Sequence, residues 1–170
     1  MHKILIATLA AGVMAAGVAQ SATTTASFQV TATVLSTCSA SAATLAFGNY
    51  TPGSGALTGN TNVTVKCTKG TTFTVALNAG STTGDTFAQR LMANAGATST
   101  LQYNLYTTAA LGTVFGDGST GTATVGGTGA GVAAANAVNV PVYGSLPDSA
   151  ANQAALTGAY TDTIAVTVTY

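Results

Sequence analysis

Between residues 28 and 34 apolar side chains fall on every second position: Phe28, Val30, Ala32 and Val34, with Gln29, Thr31 and Thr33 between them. The pattern returns at residues 160–170, where Ile164, Val166, Val168 and Tyr170 alternate with small or hydroxyl-bearing residues. A two-residue period is that of a strand with one packed face and one wet face. Shorter runs repeat the theme. "NVTVKC" (62–67) and "TFTVALN" (72–78) flank "TKGT", which reads as a hairpin with Gly70 in the turn. Leu101, Tyr103 and Leu105 alternate with Gln102, Asn104 and Tyr106, and "AVNVPVYG" (137–144) reads as a strand. Pro141 places part of that strand at an edge or a bulge.

The remaining stretches are weaker. "ATLAFGNY" (43–50) ends in the turn material "TPGSG", and the Gly-rich run 115–132 holds one short strand at 122–125. "RLMANAG" (90–96) is the place where a short helix fits, and residues 145–158 read as a loop with at most one helical turn. Seven or eight short strands, with a turn signal every 10–15 residues, predict an all-β sandwich or barrel. Composition agrees: Thr, Val and Gly abound, only 5% of residues are charged, and Trp is absent.

The first 21 residues follow another pattern. A basic "MHK", a short apolar helix-forming run and a small-residue cleavage site near Ala19, Ser21 or Ala22 predict an exported chain whose residues 1–21 are removed. The apolar run is shorter than the roughly 20 residues a bilayer requires. Export leaves three cations, Lys66, Lys69 and Arg90, against four Asp, a formal charge of −1. Neither a nucleic-acid footprint nor a lipid-binding basic patch is present. In an exported chain the isolated pair Cys38 and Cys67 is most simply one disulfide, with a free thiol pair as the alternative.

Catalytic chemistry has little to draw on. The processed chain holds no His and no Glu, so a Ser–His–Asp arrangement is impossible and nothing marks a Ser–Lys pair. Asp85, Asp117, Asp148 and Asp162 sit in Gly-, Ser- or Thr-rich contexts, where Asp bonds nearby backbone amides. Asp117 with Asp85 lacks the repeated carboxylates of a calcium loop, and the Gly-rich run lacks the "GK[ST]" of a phosphate cradle. No enzyme, cofactor or metal is expected. Tyr103, Tyr106, Tyr143 and Tyr160 read as packing residues more readily than as a sugar platform.

The order of features is diagnostic. An alternating strand precedes Cys38; "LAFGNY" follows at 45–50; "VKC" closes at Cys67; then come "RLM" (90–92), "LQYNLY" (101–106), "FGDG" (115–118), "VPVYGSLP" (140–147) and "GAYTDTIAVTVTY" (158–170). This series resembles the spore coat protein U domain family and its relatives, the pilin subunits of archaic, Csu-type chaperone–usher pili. The family's usual Trp before "GDG" is Phe115 here. The resemblance implies an incomplete immunoglobulin-like sandwich, residues 38–170, that lacks its last strand. The N-terminal segment, residues 22–37, would donate that strand to a neighbour, with Phe28, Val30, Ala32 and Val34 facing the neighbour's groove. Ile164, Val166, Val168 and Tyr170 would border the groove. The implied partners are identical or related subunits, a periplasmic chaperone and an outer-membrane usher. The implied location is the periplasm in transit and then a cell-surface fibre for adhesion and biofilm formation. A self-complete secreted coat protein and a carbohydrate-binding module are the competing readings.

Overall fold

The computed structural model describes residue 17, residues 19–119 and residues 121–170. Most of the expected export signal therefore lies outside the described residues. No described helix is long and apolar enough to cross a membrane. The chain divides into residues 1–33 and 34–170. In the first unit, residues 19–33 form neither strand nor helix, and Phe28 and Val30 are 88% and 82% exposed. The strand expected there is absent, because alternation supplies a face but a strand also needs backbone partners.

The second unit is a sandwich of two sheets. Its strands are β1 (Cys38–Ala42), β2 (Leu57–Cys67), β3 (Thr72–Leu77), β4 (Arg90–Asn94), β5 (Thr100–Tyr106), β6 (Val114–Phe115), β7 (Thr122–Ala123), β8 (Val125–Thr128), β9 (Val138–Leu146), β10 (Tyr160–Thr161) and β11 (Val166–Thr169). The larger sheet runs β1-β2-β9-β5-β4-β10, with β6 and β7 attached beside β5; the smaller runs β11-β3-β8. Inward positions follow the two-residue period: Val63, Val65 and Cys67 on β2, Phe73, Val75 and Leu77 on β3, Val140, Val142 and Leu146 on β9. These residues and Leu101, Tyr103, Leu105 and Phe115 make one core between the sheets. Cys38 and Cys67 stand opposite each other in the β1–β2 ladder and form a disulfide.

Pro141 fits its position for a local reason. β5 pairs with β9 at Tyr143, Gly144 and Ser145, so among the described residues Pro141 has a strand partner on the β2 side alone. Helix α1 (Ala150–Gln153) is a single turn capped by Ser149, whose Oγ accepts from the Asn152 backbone N–H at 3.3 Å. Residues 90–96 correct the expectation of a helix. Arg90–Asn94 is strand β4, paired with β5 so that Arg90 lies opposite Tyr103. Leu, Met and Ala favour helix in isolation, but the free edge of β5 supplies ladder bonds that outweigh that preference.

The terminal segment also differs from expectation. It is two short strands in different sheets: β10 pairs with β4, β11 with β3. Side chains take over the backbone bonding between them. Asp162 accepts from the Thr163 N–H at 2.7 Å. Asn78 accepts from the Ala165 N–H through Oδ1 at 2.8 Å and donates its own N–H to the Ala165 carbonyl at 3.1 Å.

Candidate strand-binding groove

Among the described residues β1 has a strand partner only in β2, and β11 only in β3. Between the segment that continues from β1 and the one that leads into β11 lies a groove of about 1100 Å³. That is just above the roughly 300–1,000 Å³ range of small-molecule pockets. One wall is residues 42–50; the other is residues 160–164 and Val166; the floor is the buried core itself, lined by Val63, Leu77, Leu101, Tyr103, Leu105 and Val142.

The first wall begins where β1 ends. Ala43 still donates to the Asn62 carbonyl at 3.4 Å and accepts from the Thr61 hydroxyl at 2.9 Å. After it the chain leaves the ladder and lays Leu45 and Phe47 across the β2–β9 pair. Gly59 and Gly144 stand opposite each other there. A Cβ at Gly144 would sit 2.9 Å from Phe47 Cζ, and one at Gly59 3.1 Å from Leu45 Cδ2, so both glycines make room for this wall. Phe47 then meets the Tyr103 ring edge to face at 6.0 Å.

The wall ends on a carboxylate. Asp148 accepts from the Tyr50 hydroxyl at 2.5 Å and from the Gly53 and Gly55 backbone N–H groups at 3.0 and 2.8 Å. These donors, Tyr50 first, hold the Asp148 carboxyl down to about 2. Partial burial, then the bond to and charge of Asp148, push the Tyr50 phenol up to about 12. The expectation that Asp148 bonds its own turn is thus corrected: its partners lie almost a hundred residues away. Asp117 does bond locally, to the Ser119 N–H at 2.9 Å, and that turn holds its carboxyl below the ordinary value.

On the second wall the even-numbered residues from Tyr160 to Val168 turn inward and are half-buried, while the odd-numbered ones are exposed. Ile164 and Val166 line the groove; Val168 packs on the core beyond it; Tyr170 is 58% exposed. Asp162 is the inward residue that is not apolar. It accepts from the Tyr103 hydroxyl at 2.6 Å, the Ser81 N–H at 2.9 Å and the Ser81 hydroxyl at 2.9 Å. Burial works to raise its carboxyl, but the bonds from Tyr103, Ser81 and Thr163 outweigh it and hold the group below the ordinary value. Asp85 goes the other way: burial, helped by the charge of Asp162, raises it despite the Leu91 and Thr82 N–H groups. Gly80 permits both carboxylates to close in, since a Cβ there would collide with each of them. Tyr103, raised by burial and by its bond to Asp162, joins the floor to both walls.

Beneath the second wall lies Arg90, fully buried, which sequence reading passed over as part of a short helix. Its guanidinium donates to Asn104 Oδ1 at 2.6 Å and to the Asn78 and Phe115 carbonyls at 2.8 and 2.7 Å. Burial lowers its pKa, partly offset by Tyr103 and Asp85. Arg90 thus braces Asn78, the residue that holds Ala165 in the terminal segment. A lone Arg opening an apolar run was the one available sign of this role.

The donor candidates fare differently. Phe28, Val30 and Ala32 are exposed residues of the first unit, and Val34, at the start of the second, is 83% exposed. The tyrosines do not form one platform. Tyr103 is buried in the floor, Tyr160 bonds the Leu156 carbonyl at 2.6 Å, and Tyr106 pairs across strands with Tyr143. Among the described residues no group of three or more His, Cys, Asp or Glu could hold a metal ion.

Comparison with known proteins bears on this arrangement. No curated protein matches the sequence. Among solved structures, one chain of the chaperone–tip adhesion subunit pre-assembly complex from the archaic chaperone–usher Csu pili of Acinetobacter baumannii matches, with a TM-score of 0.57 and 20% identity. The match covers 81% of this chain and 41% of that one, so the protein spans less than half the length of its structural relative. A likeness at that identity establishes the fold. The family model of the Spore Coat Protein U domain matches residues 24–167, from before the alternating N-terminal segment to within the last strand. With a match over that length, the chain belongs to the Spore Coat Protein U domain family.

Proposed function

We propose that this protein is a secreted structural subunit that polymerises head to tail into a surface fibre. Residues 25–35 of each copy fill the groove of the next. The observation that carries this reading is a sandwich open along two strand edges, on a chain that also bears an exposed alternating apolar segment. Strand addition uses both features: the edges supply backbone bonds, and alternate side chains set the register. Burying Phe28, Val30 and Val34 contributes roughly 1.5–3 kcal/mol each, as an upper estimate. That is comparable with the ~5–15 kcal/mol by which whole domains are stable. Because donor and groove are different surfaces of one chain, their contact does not close on itself, and a filament results.

The similarity to a chaperone–subunit complex supports a periplasmic chaperone as the first occupant of the groove and an usher as the assembly site. Export, passage through the periplasm and display in a cell-surface fibre serving adhesion and biofilm formation follow from the same reading. The role is structural, not catalytic: the four Asp are engaged in holding loops and walls.

The test is a pair of donor substitutions. Val30→Asp would place an unpaired carboxylate in an apolar groove, at a cost of several kcal/mol. Thr31→Asp lies on the opposite face and should assemble. Assembly is read as heat-resistant ladders on a gel, and chaperone-bound subunit should persist in both variants. Equal polymerisation of the two would overturn the reading. A secreted monomer with residues 25–35 protected from protease would indicate a self-complete coat protein instead.

A further inference from the structure

The groove faces a choice that the fold alone does not resolve: residues 25–35 could fill the groove of their own copy or that of another. We propose that Thr68 and Thr71, together with the Cys38–Cys67 disulfide, form a clasp that commits this segment to a neighbouring copy. The proposal rests on the groove reading above and concerns which copy is served.

The β1–β2 ladder pairs Cys38 with Cys67 and continues one step further. The Thr68 N–H donates to the Thr37 carbonyl at 2.9 Å, and the Thr37 N–H donates to Thr68 Oγ1 at 3.2 Å. The Thr68 hydroxyl in turn donates to the Leu35 carbonyl at 3.3 Å, and Thr71 Oγ1 lies 3.3 Å from Ser36 Oγ. Residues 35–37 are therefore held in line with β1 as it runs out past the end of β2. The open groove lies at the other end of β1, from Ala42 to Tyr50.

To reach its own groove the segment would have to reverse within Ser36–Thr37 and run back beside β1. Two obstacles stand there. Those are the residues the clasp holds, and each is bonded to the β2–β3 turn. A two-residue reversal also needs positive φ, the conformation supplied by Asn-Gly or Gly-containing pairs and resisted by a β-branched Thr. The disulfide removes the remaining slack by anchoring the next residue, Cys38. A second copy meets none of these constraints.

The processed full chain, refolded without other proteins, tests this by light scattering and by protease protection of residues 25–35. Wild type should give polymers, and Thr68→Ser, which keeps the hydroxyl, should match it. Thr68→Val combined with Thr71→Val should shift material several-fold from polymer to monomer with a protected N-terminal segment. Inserting two glycines between Ser36 and Thr37, which leaves every clasp residue in place but allows reversal, should do the same. An unchanged polymer fraction in the insertion variant would overturn the clasp, whatever the folding yield of the double Val variant. So would a protected wild-type monomer. Failure of the groove reading has a different signature: Val30→Asp would then polymerise like wild type.

Discussion

Residues 28–34 and 164–170 carry the same signal, apolar side chains on consecutive even positions, yet the structure treats them oppositely. In the terminal segment Ile164, Val166 and Val168 pack on the core, with Val166 to Thr169 laddered against β3. In the N-terminal segment the corresponding face is exposed and no strand forms. Alternation thus specifies which side of a strand wants burial. It does not specify where the partner comes from, and on the proposed function that difference separates a part of the subunit from a part offered to another molecule.

The strongest way to break this comparison is to charge both segments alike. Val166→Asp should destabilise the subunit itself by several kcal/mol, because its side chain packs on the core, and should reduce chaperone-bound yield as well as fibres. Val30→Asp should abolish fibres while leaving the melting temperature of the unassembled subunit unchanged. An equal loss of melting temperature in both would mean that the N-terminal segment belongs to its own fold.

Removing the disulfide has the next largest effect. Cys38→Ser with Cys67→Ser opens a loop with a sequence separation of 29. The loss should be about 3–4 kcal/mol on the chain-entropy account, read as the shift of a denaturant midpoint. It also frees the root of the N-terminal segment, so the comparison sharpens if stable monomer appears among the refolded products.

A smaller effect is expected at Asp148, which ties the end of the first wall to the start of α1. Its folded pKa is depressed, to about 2. Its contribution is therefore complete above the unfolded carboxylate value near 4 and is lost as pH falls through 2. Asp148→Asn should lower the melting temperature at pH 7, and the gap to wild type should narrow between pH 4 and pH 2. A gap independent of pH would assign the effect to shape and not to charge. Asp117→Asn marks the lower limit: Asn makes the same local turn, and no measurable change in melting temperature or assembly is expected.

Much of this architecture is written in local pattern. The inward faces of β2, β3, β5 and β9, the turn at Gly70, the single helical turn near Ala150 and the pairing of two cysteines all follow from residue type and a two-residue period. These features depend on neighbours along the chain, or on there being only one possible partner. The sheet to which a strand belongs is a different kind of fact. Residues 90–94 became a strand because β5 had an edge to offer, and residues 160–169 split between sheets because Asp162 and Asn78 could satisfy the backbone at the break. Asp117 and Asp148 look alike in sequence, yet only one bonds its own turn; the other found Tyr50 and two glycines across the molecule. Arg90 could lie fully buried only where Asn104 and two main-chain carbonyls converged on it. Local pattern thus determined which faces seek burial, because side-chain period is a property of the strand alone. Tertiary structure decided which edges stay open, because a backbone hydrogen bond needs a partner that chain order does not name.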